Sequence, residues 1–367
     1  MLRIISMLFI VMHHYAYHGG FVLDPNTISI NKVIVQFLSA GGKLGVNCFI
    51  LITGYFMIKS TFKFDKLLKL LFTIFTYSVL IYIISLLAGF VDFNFKQAVK
   101  SFFPVIFNQY WFATSYVLLY IFSPYINSLI SAIDRKKHLN LIVLLITVWS
   151  IVPTIVPVDL NFSSIGWFAT LYIIAAYIRM YPNFWLENLN INKILFLFSY
   201  SIILITIIFF DIIGTKFVFF ANNAMHFTNM NMLPLLLCSV FLFLWFKNMD
   251  IKSDKCIKFF SSSMFGVYLI HDNSIIRNIL WKDFFKNDSF FYSDYMIIHA
   301  LLVITVVFLS CVIVEKAHKY IIAKQASSVI EKISINLLEV LTYSKLFLFE
   351  IFRRLAGLAE ESQRTPR

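Results

Sequence analysis

Residues 67–90 read LLKLLFTIFTYSVLIYIISLLAGF, with Lys69 as the one charge in the run. A helix needs about 20 apolar residues to cross the hydrocarbon core of a bilayer, and this run supplies them. Its apolar and polar residues do not alternate, as they would along a barrel strand. Residues 301–314, LLVITVVFLSCVIV, read the same way. Inside lipid the backbone must satisfy its own hydrogen bonds, which leaves helices or a closed barrel. The lack of alternation selects helices.

The rest of the chain agrees with these two runs. Of its 367 residues 60% are apolar and 14% are charged, against about 25% charged in an ordinary soluble domain. Forty-two Phe and 18 Tyr exceed what one water-facing core can hold, and the mean hydropathy is +0.80. The expected fold is all-α, a polytopic bundle of roughly ten transmembrane helices. The spans fall at 2–18, 33–57, 67–90, 109–130, 140–157, 164–181, 193–213, 230–247, 259–281 and 294–322. The first run carries Arg3, His13, His14 and His18 and has no small-residue cleavage site, so it reads as a retained helix rather than a signal peptide.

Charge gives the orientation. Basic residues crowd one set of loops: Lys59 to Lys69, Arg135-Lys136-Lys137, Lys247 to Lys258, and Lys316 to Lys324. The alternate loops are sparser in charge and hold Pro25, Pro104, Pro153 and Pro157 with Asp and Asn, which read as turns. The positive-inside rule puts the rich loops and both termini in the cytoplasm. The net charge of +12 is therefore read as topology and contact with anionic lipid, with no nucleic-acid partner. Residues 1–325 form the membrane domain. Residues 326–367 hold an amphipathic segment at 328–355, expected to lie on the inner leaflet, and a disordered tail. The four cysteines form no C-x-x-C pair, and no His/Cys ligand spacing suggests a metal.

Ionisable residues inside lipid are functional candidates by default. Arg3 and His14 are eleven residues apart, three turns plus about 20°, so both project from one face with Cα atoms about 16 Å apart along the axis. Imidazole can take a proton from a hydroxyl, and guanidinium binds phosphate or carboxylate. His13 and His18 read as structural, satisfying carbonyls or the helix end at His18-Gly19-Gly20. His271-Asp272 is a second buried polar pair, able to orient an acceptor or to bridge helices. Gln109, Tyr110 and Trp111 open a helix from the outer side, where aromatic rings either stack on sugars or form an interfacial belt.

These residues carry a resemblance. Arg3, ten residues, then His14 resembles the first-helix signature of the membrane acyltransferase-3 family, integral membrane enzymes that O-acylate glycans and lipids. Gly45-Val46-Asn47-Cys48-Phe49-Ile50-Leu51-Ile52-Thr53-Gly54-Tyr55 resembles the family's second-helix run. Tyr110-Trp111-Phe112 with Tyr120-Ile121-Phe122-Ser123-Pro124 resembles its Trp-Phe…Tyr-x-x-x-Pro segment, and Ser262 to His271 its late Ser…Tyr-Leu-x-His helix. The four runs lie in the family's order across about residues 1–325.

The resemblance implies an O-acetyltransferase in the bacterial plasma membrane. It would move acetyl from cytoplasmic acetyl-CoA to a hydroxyl of a cell-surface polysaccharide, such as capsule, or of its lipid-linked precursor. His14 takes the catalytic role and Arg3 handles the donor. The family's Arg-x-x-Arg element is replaced here by Lys63, Lys66 and Lys69, which can neutralise CoA phosphates without the bidentate fork. Asn47 stands where many members have Asp. Asn47, Tyr110, Trp111, His271 and Asp272 are expected on the acceptor side. No metal is implied, and a homo-oligomer is compatible with the reading. The rival reading is a polysaccharide exporter or flippase, for which a duplicated pair of interrupted helices would be expected; the sequence shows no such duplication.

Overall fold

The computed structural model describes residues 1–156, 162–252, 254–323, 326 and 331–334. The expected surface helix at 328–355 and the tail lie outside these residues, apart from 331–334, as do Pro157, Asp159 and Asn161. The main helices are α1 (Leu2–His18), α2 (Ile30–Met57), α3 (Phe64–Leu87), α4 (Phe95–Phe102), α5 (Trp111–Ser131), α6 (Arg135–Ile155), α7 (Ser164–Met180), α8 (Leu189–Gly214), α9 (Leu233–Asn248), α10 (Lys255–Ser261), α11 (Met264–His271) and α12 (Met296–His318). No strand occurs among the described residues. Seven of their helices are long and apolar enough to cross a membrane.

Local chemistry sets the ends. Ser29, Asn94, Asp134, Asn188 and Asp254 each stand at an N-cap and accept a hydrogen bond from a backbone N–H three residues on, which satisfies donors that the first turn leaves free. Pro124 lies inside α5 and cannot donate to the Tyr120 carbonyl. Ser123 repairs the gap, its hydroxyl donating to that carbonyl at 2.7 Å.

Burial departs from that of a soluble protein at both ends of the scale, around an apolar core. Large apolar side chains such as Phe198, Ile205, Leu301 and Leu302 are more than half as exposed as in a free chain, while Asn47, His271, Asp211 and Glu315 are at most 1% exposed. Lipid accounts for both halves of this pattern. The core forms around α2 and α7. Almost every side of α7 is buried, from Trp167 to Ile178, and α2 packs against α1, α7, α8 and α9. Gly54 makes the α2–α7 approach possible: a Cβ there would lie 2.8 Å from the Tyr172 Cα, a backbone atom that cannot yield. Small residues serve this purpose between membrane helices.

Buried polar groups are paired across helices. Asn47 accepts from the Trp167 indole at 3.0 Å and donates to the Met230 carbonyl at 2.8 Å and the Ser239 hydroxyl at 3.1 Å, joining α2 to α7 and α9. Glu315 on α12 accepts from the Tyr77 hydroxyl and lies 2.9 Å from the Lys319 ammonium. His318 stacks on Tyr77 with ring centroids 4.3 Å apart and shares a 3.0 Å hydrogen bond with Thr76. The Glu315 carboxylate presses against Gly266 so closely that any Cβ there would collide with it.

The structure corrects the sequence reading at the ninth span. Residues 259–281 were expected as one helix. Instead α10 stops at Ser261, α11 runs from Met264 to His271, and a further turn starts at Ile276. The serines explain the first break, since Ser262 and Ser263 both donate their hydroxyls back to the Phe259 carbonyl. Asn273 explains the second, its side chain accepting from the Ile275 N–H in an Asx turn. Arg135-Lys136-Lys137, expected in a loop, forms the first turn of α6 behind the Asp134 cap. Before Pro153, α6 widens into a π turn over Thr147–Ile151, a common way for a helix to absorb a proline. Short helices also occupy two stretches expected as loops, α4 and Val218–Asn222.

Gly54→Val is expected to lower the thermal transition of the detergent-solubilised protein by several degrees or prevent its accumulation, whereas Gly89→Asn should have little effect. At Gly89 nothing lies within 4 Å of an added Cβ, and Asn tolerates its positive φ of 69°. Fluorescence-detected size exclusion across a temperature series measures both.

Candidate active site

His14 lies in the fourth turn of α1, 8% exposed, and meets α11 end-on. The break after His271 allows this meeting, because it ends α11 with His271 and Asp272 beside the middle of α1. Nδ1 of His271 lies within hydrogen-bond distance of the Val267 carbonyl. A carbonyl only accepts, so this nitrogen carries the proton and Nε2 of His271 is a lone pair. Nδ1 of His14 lies 2.9 Å from that Nε2 and must therefore donate to it. The proton of neutral His14 is thus on Nδ1, and its Nε2 is left as a base. That nitrogen stands 3.6 Å from Oδ1 of Asp272.

Asp272 is shared. His18 Nε2 approaches the same oxygen at 3.5 Å and Arg277 Nη1 at 3.7 Å. Tyr110 is not on a sugar-facing surface. It is 1% exposed, and its hydroxyl accepts from the Asn273 amide at 2.6 Å, which supports the turn that carries Asp272. His13 donates from Nδ1 to the Ser39 carbonyl oxygen at 2.7 Å, with the Ser39 hydroxyl 3.1 Å away, as the structural reading expected.

The His14–Asp272 junction opens on a cavity of about 800 Å³. Its wall includes His18, Lys43, Trp111, Arg277 and, from the segment before α9, Asn222 and Asn229. The Lys43 ammonium sits 4.4 Å above the Trp111 ring, so one face of the indole is already covered by a cation. A second cavity of about 650 Å³ lies at the other end of α1, lined by Arg3 together with Tyr55, Phe246, Lys247 and Ile257. Arg3 and His14 thus belong to two cavities on one helix, separated by the roughly 16 Å that the rise of eleven residues gives.

A family model described as an acyltransferase domain, of the acyltransferase-3 type, matches residues 1–315. The chain belongs to this family. No curated protein and no solved structure matches it. As an acyltransferase of this family, the protein places His14, Asp272 and Trp111 on the wall of one cavity, with His271 buried behind His14, and Arg3 at the other. It does not bring in the remaining expected residues. Asn47 spends its amide on the three-helix junction described above. Lys63, Lys66 and Lys69 are exposed and line neither cavity, and Lys69 pairs with Asp65 at 3.5 Å.

Sequence reasoning missed several residues. His18, read from the sequence as structural, stands on the cavity wall beside Asp272. Lys43 and Arg277 carried no pattern, and Lys247 was counted only as a topology charge. Lys32, one of the few basic residues of the sparser loops, is 4% exposed and pairs with Asp211 of α8 at 3.1 Å. Its ammonium also donates to the carbonyls of Asp24 and Thr27 at 3.0 Å each. Gln36, on the cavity wall, donates to the same Asp211 carboxylate at 3.2 Å. The pair therefore fixes both the loop before α2 and one side of the cavity.

Removing one partner of a buried ion pair strands the other, at a cost of about 3–5 kcal/mol, whereas replacing both by apolar residues is often neutral. Asp211→Leu is therefore expected to destabilise strongly, and Lys32→Met combined with Asp211→Leu to recover much of the loss. Thermal unfolding of the two single variants and the double variant, read as a cycle, checks this.

Proposed function

We propose that this acyltransferase carries acetyl groups from acetyl-CoA to a hydroxyl of a cell-surface polysaccharide or its lipid-linked precursor, in a bacterial plasma membrane. In this reading the chain crosses about ten times, as the hydropathy of its spans suggests, with both termini cytoplasmic. The observation that carries it is the relay from the Val267 carbonyl through His271 to His14, which leaves the His14 Nε2 lone pair beside Asp272 at the cavity.

The chemistry follows from that arrangement. The acceptor enters the larger cavity, whose amides, imidazoles and hydroxyls suit a carbohydrate. His14 Nε2 takes the proton of the acceptor hydroxyl as its oxygen attacks the thioester carbonyl. The tetrahedral intermediate collapses, the carbon–sulfur bond breaks, and the proton on His14 goes to the departing thiolate. Asp272 stabilises the imidazolium between these two transfers, and His271 holds the tautomer and the ring orientation. Acetyl-CoA binds from the cytoplasmic end, its phosphates near Arg3 and Lys247, and its flexible arm spans the distance to His14. Lys63, Lys66 and Lys69 contribute a basic surface outside that cavity.

His14→Ala is expected to lower acetate per glycan repeat by about 10²–10⁴-fold at matched membrane abundance, the usual worth of a positioned general base. An exporter would instead lose glycan quantity with acetate per repeat unchanged. Normal acetate per repeat in His14→Ala would end the acyl-transfer reading.

Phosphate contacts far from the thioester supply binding shared by ground and transition states. Arg3→Ala combined with Lys247→Ala should thus raise the KM for acetyl-CoA far more than it lowers kcat, and Lys66→Ala combined with Lys69→Ala should raise it less. An unchanged KM in the first variant would remove the donor from that cavity. Steady-state kinetics in reconstituted vesicles separates these cases.

A further inference from the structure

His14, His18 and Asp272 have a property that acid–base chemistry does not use. Nε2 of His14 and Nε2 of His18 stand 3.6 and 3.5 Å from the same Asp272 oxygen. All three atoms lie within 4.8 Å of one another. Tetrahedral Zn²⁺, with bonds of about 2.0–2.1 Å, holds its ligand atoms about 3.3–3.4 Å apart. Two of the three edges are therefore within a few tenths of an ångström of that geometry, and a side-chain rotation can close the third.

The framework is that of a metal site. The two histidines are four residues apart on one helix, which stacks their rings on one face. The carboxylate arrives from the end of α11, held by the Asx turn at Asn273. Two imidazoles and one carboxylate suit Zn²⁺ better than the hard oxygen-seeking cations. The relay behind His14 is the outer-shell support that such ligands use, because Nδ1–H is committed to His271 and Nε2 faces the metal position. Three protein ligands leave the fourth position open to the cavity.

We infer that His14, His18 and Asp272 form a Zn²⁺ site whose occupancy switches acyl transfer off. This rests on the reading of His14 as the general base. The lone pair that accepts the acceptor's proton is the one that a metal would take, and a coordinated nitrogen cannot accept a proton. The metal also takes the carboxylate that stabilises the imidazolium. Two cations oppose it: Lys43 on the cavity wall, and Arg277, whose guanidinium lies 3.7 Å from the Asp272 oxygen. Arg277 is thus an internal competitor, and its partly exposed side chain can turn away into the cavity when metal enters.

The test uses the full chain in lipid nanodiscs, stripped with chelator, and Co²⁺ as a spectroscopic probe. The expected result is one Co²⁺ per chain with visible ligand-field bands of a tetrahedral site, displaced by Zn²⁺. His18→Gln should weaken binding at least tenfold, and Arg277→Gln should tighten it severalfold. Acetate transfer by the wild type should fall as Zn²⁺ is added and return with chelator. Across the variants the inhibition midpoint, measured relative to each variant's own chelated activity, should track the Co²⁺ midpoint. Binding that His18→Gln leaves unchanged would overturn the site. Activity that is lost on chelation and restored by Zn²⁺ would overturn the switch. The two failures separate. Absent Co²⁺ binding with normal transfer removes the metal site alone, whereas normal binding with no transfer under any condition removes the acyl-transfer reading and the switch with it.

Discussion

The hydrogen bond from His14 to His271 joins the first helix to a helix that stops inside the bundle, and the rest of the site is arranged around it. In lipid a broken helix exposes carbonyls and N–H groups that water cannot reach. Here the break is satisfied locally, by Ser262 and Ser263 on one side and by Asn273 on the other. The same local bonds end α11 at His271 and turn the chain so that Asp272 faces α1. One set of short-range hydrogen bonds thus supplies an imidazole, a carboxylate and a fixed tautomer to a residue more than 250 positions away in sequence.

Three further polar junctions hold the helices that carry this arrangement. Asn47 fastens α2 to α7 and α9, Lys32 and Asp211 fasten α2 to α8, and Glu315 fastens α12 to α3 and to the glycine of α11. Apolar contact gives little preference between one helix register and another in lipid, because the tails are as apolar as the helix faces. Directional bonds between buried polar groups supply that preference. The centre of the bundle is therefore an apolar core, with Leu44, Ile50, Trp167 and Leu171 fully buried, pinned at a few polar junctions.

Composition and two long apolar runs were enough to read the fold class, since a membrane helix writes its length directly into hydropathy. His14, Arg3, His271 and Asp272 were also legible, because an ionisable residue inside such a run is conspicuous. What hydropathy could not show is where a helix breaks without leaving the apolar region. Ser261-Ser262-Ser263 and Asp272-Asn273-Ser274 are each too short to lower the hydropathy of the span, yet they decide its geometry. Pairing was hidden for a different reason. Lys32 looks like a loop charge until Asp211, far away in sequence, is seen beside it. Asn47 looked like part of a site because a resemblance reports which position matters and not which neighbours that position touches.

Glu315 has a consequence for how the chain is built. It lies near the end of α12, so it is made after Tyr77 of α3 and Gly266 of α11. A carboxylate entering hydrocarbon alone is opposed by several kcal/mol. Its Tyr77 partner, however, is already inserted when α12 emerges, and the space left by a missing side chain at Gly266 is there to receive it. The order of synthesis therefore makes the early helices a template for the late one. A lesion at Tyr77 or Gly266 would show up first as failed integration of α12, at the membrane-insertion machinery rather than in the finished protein.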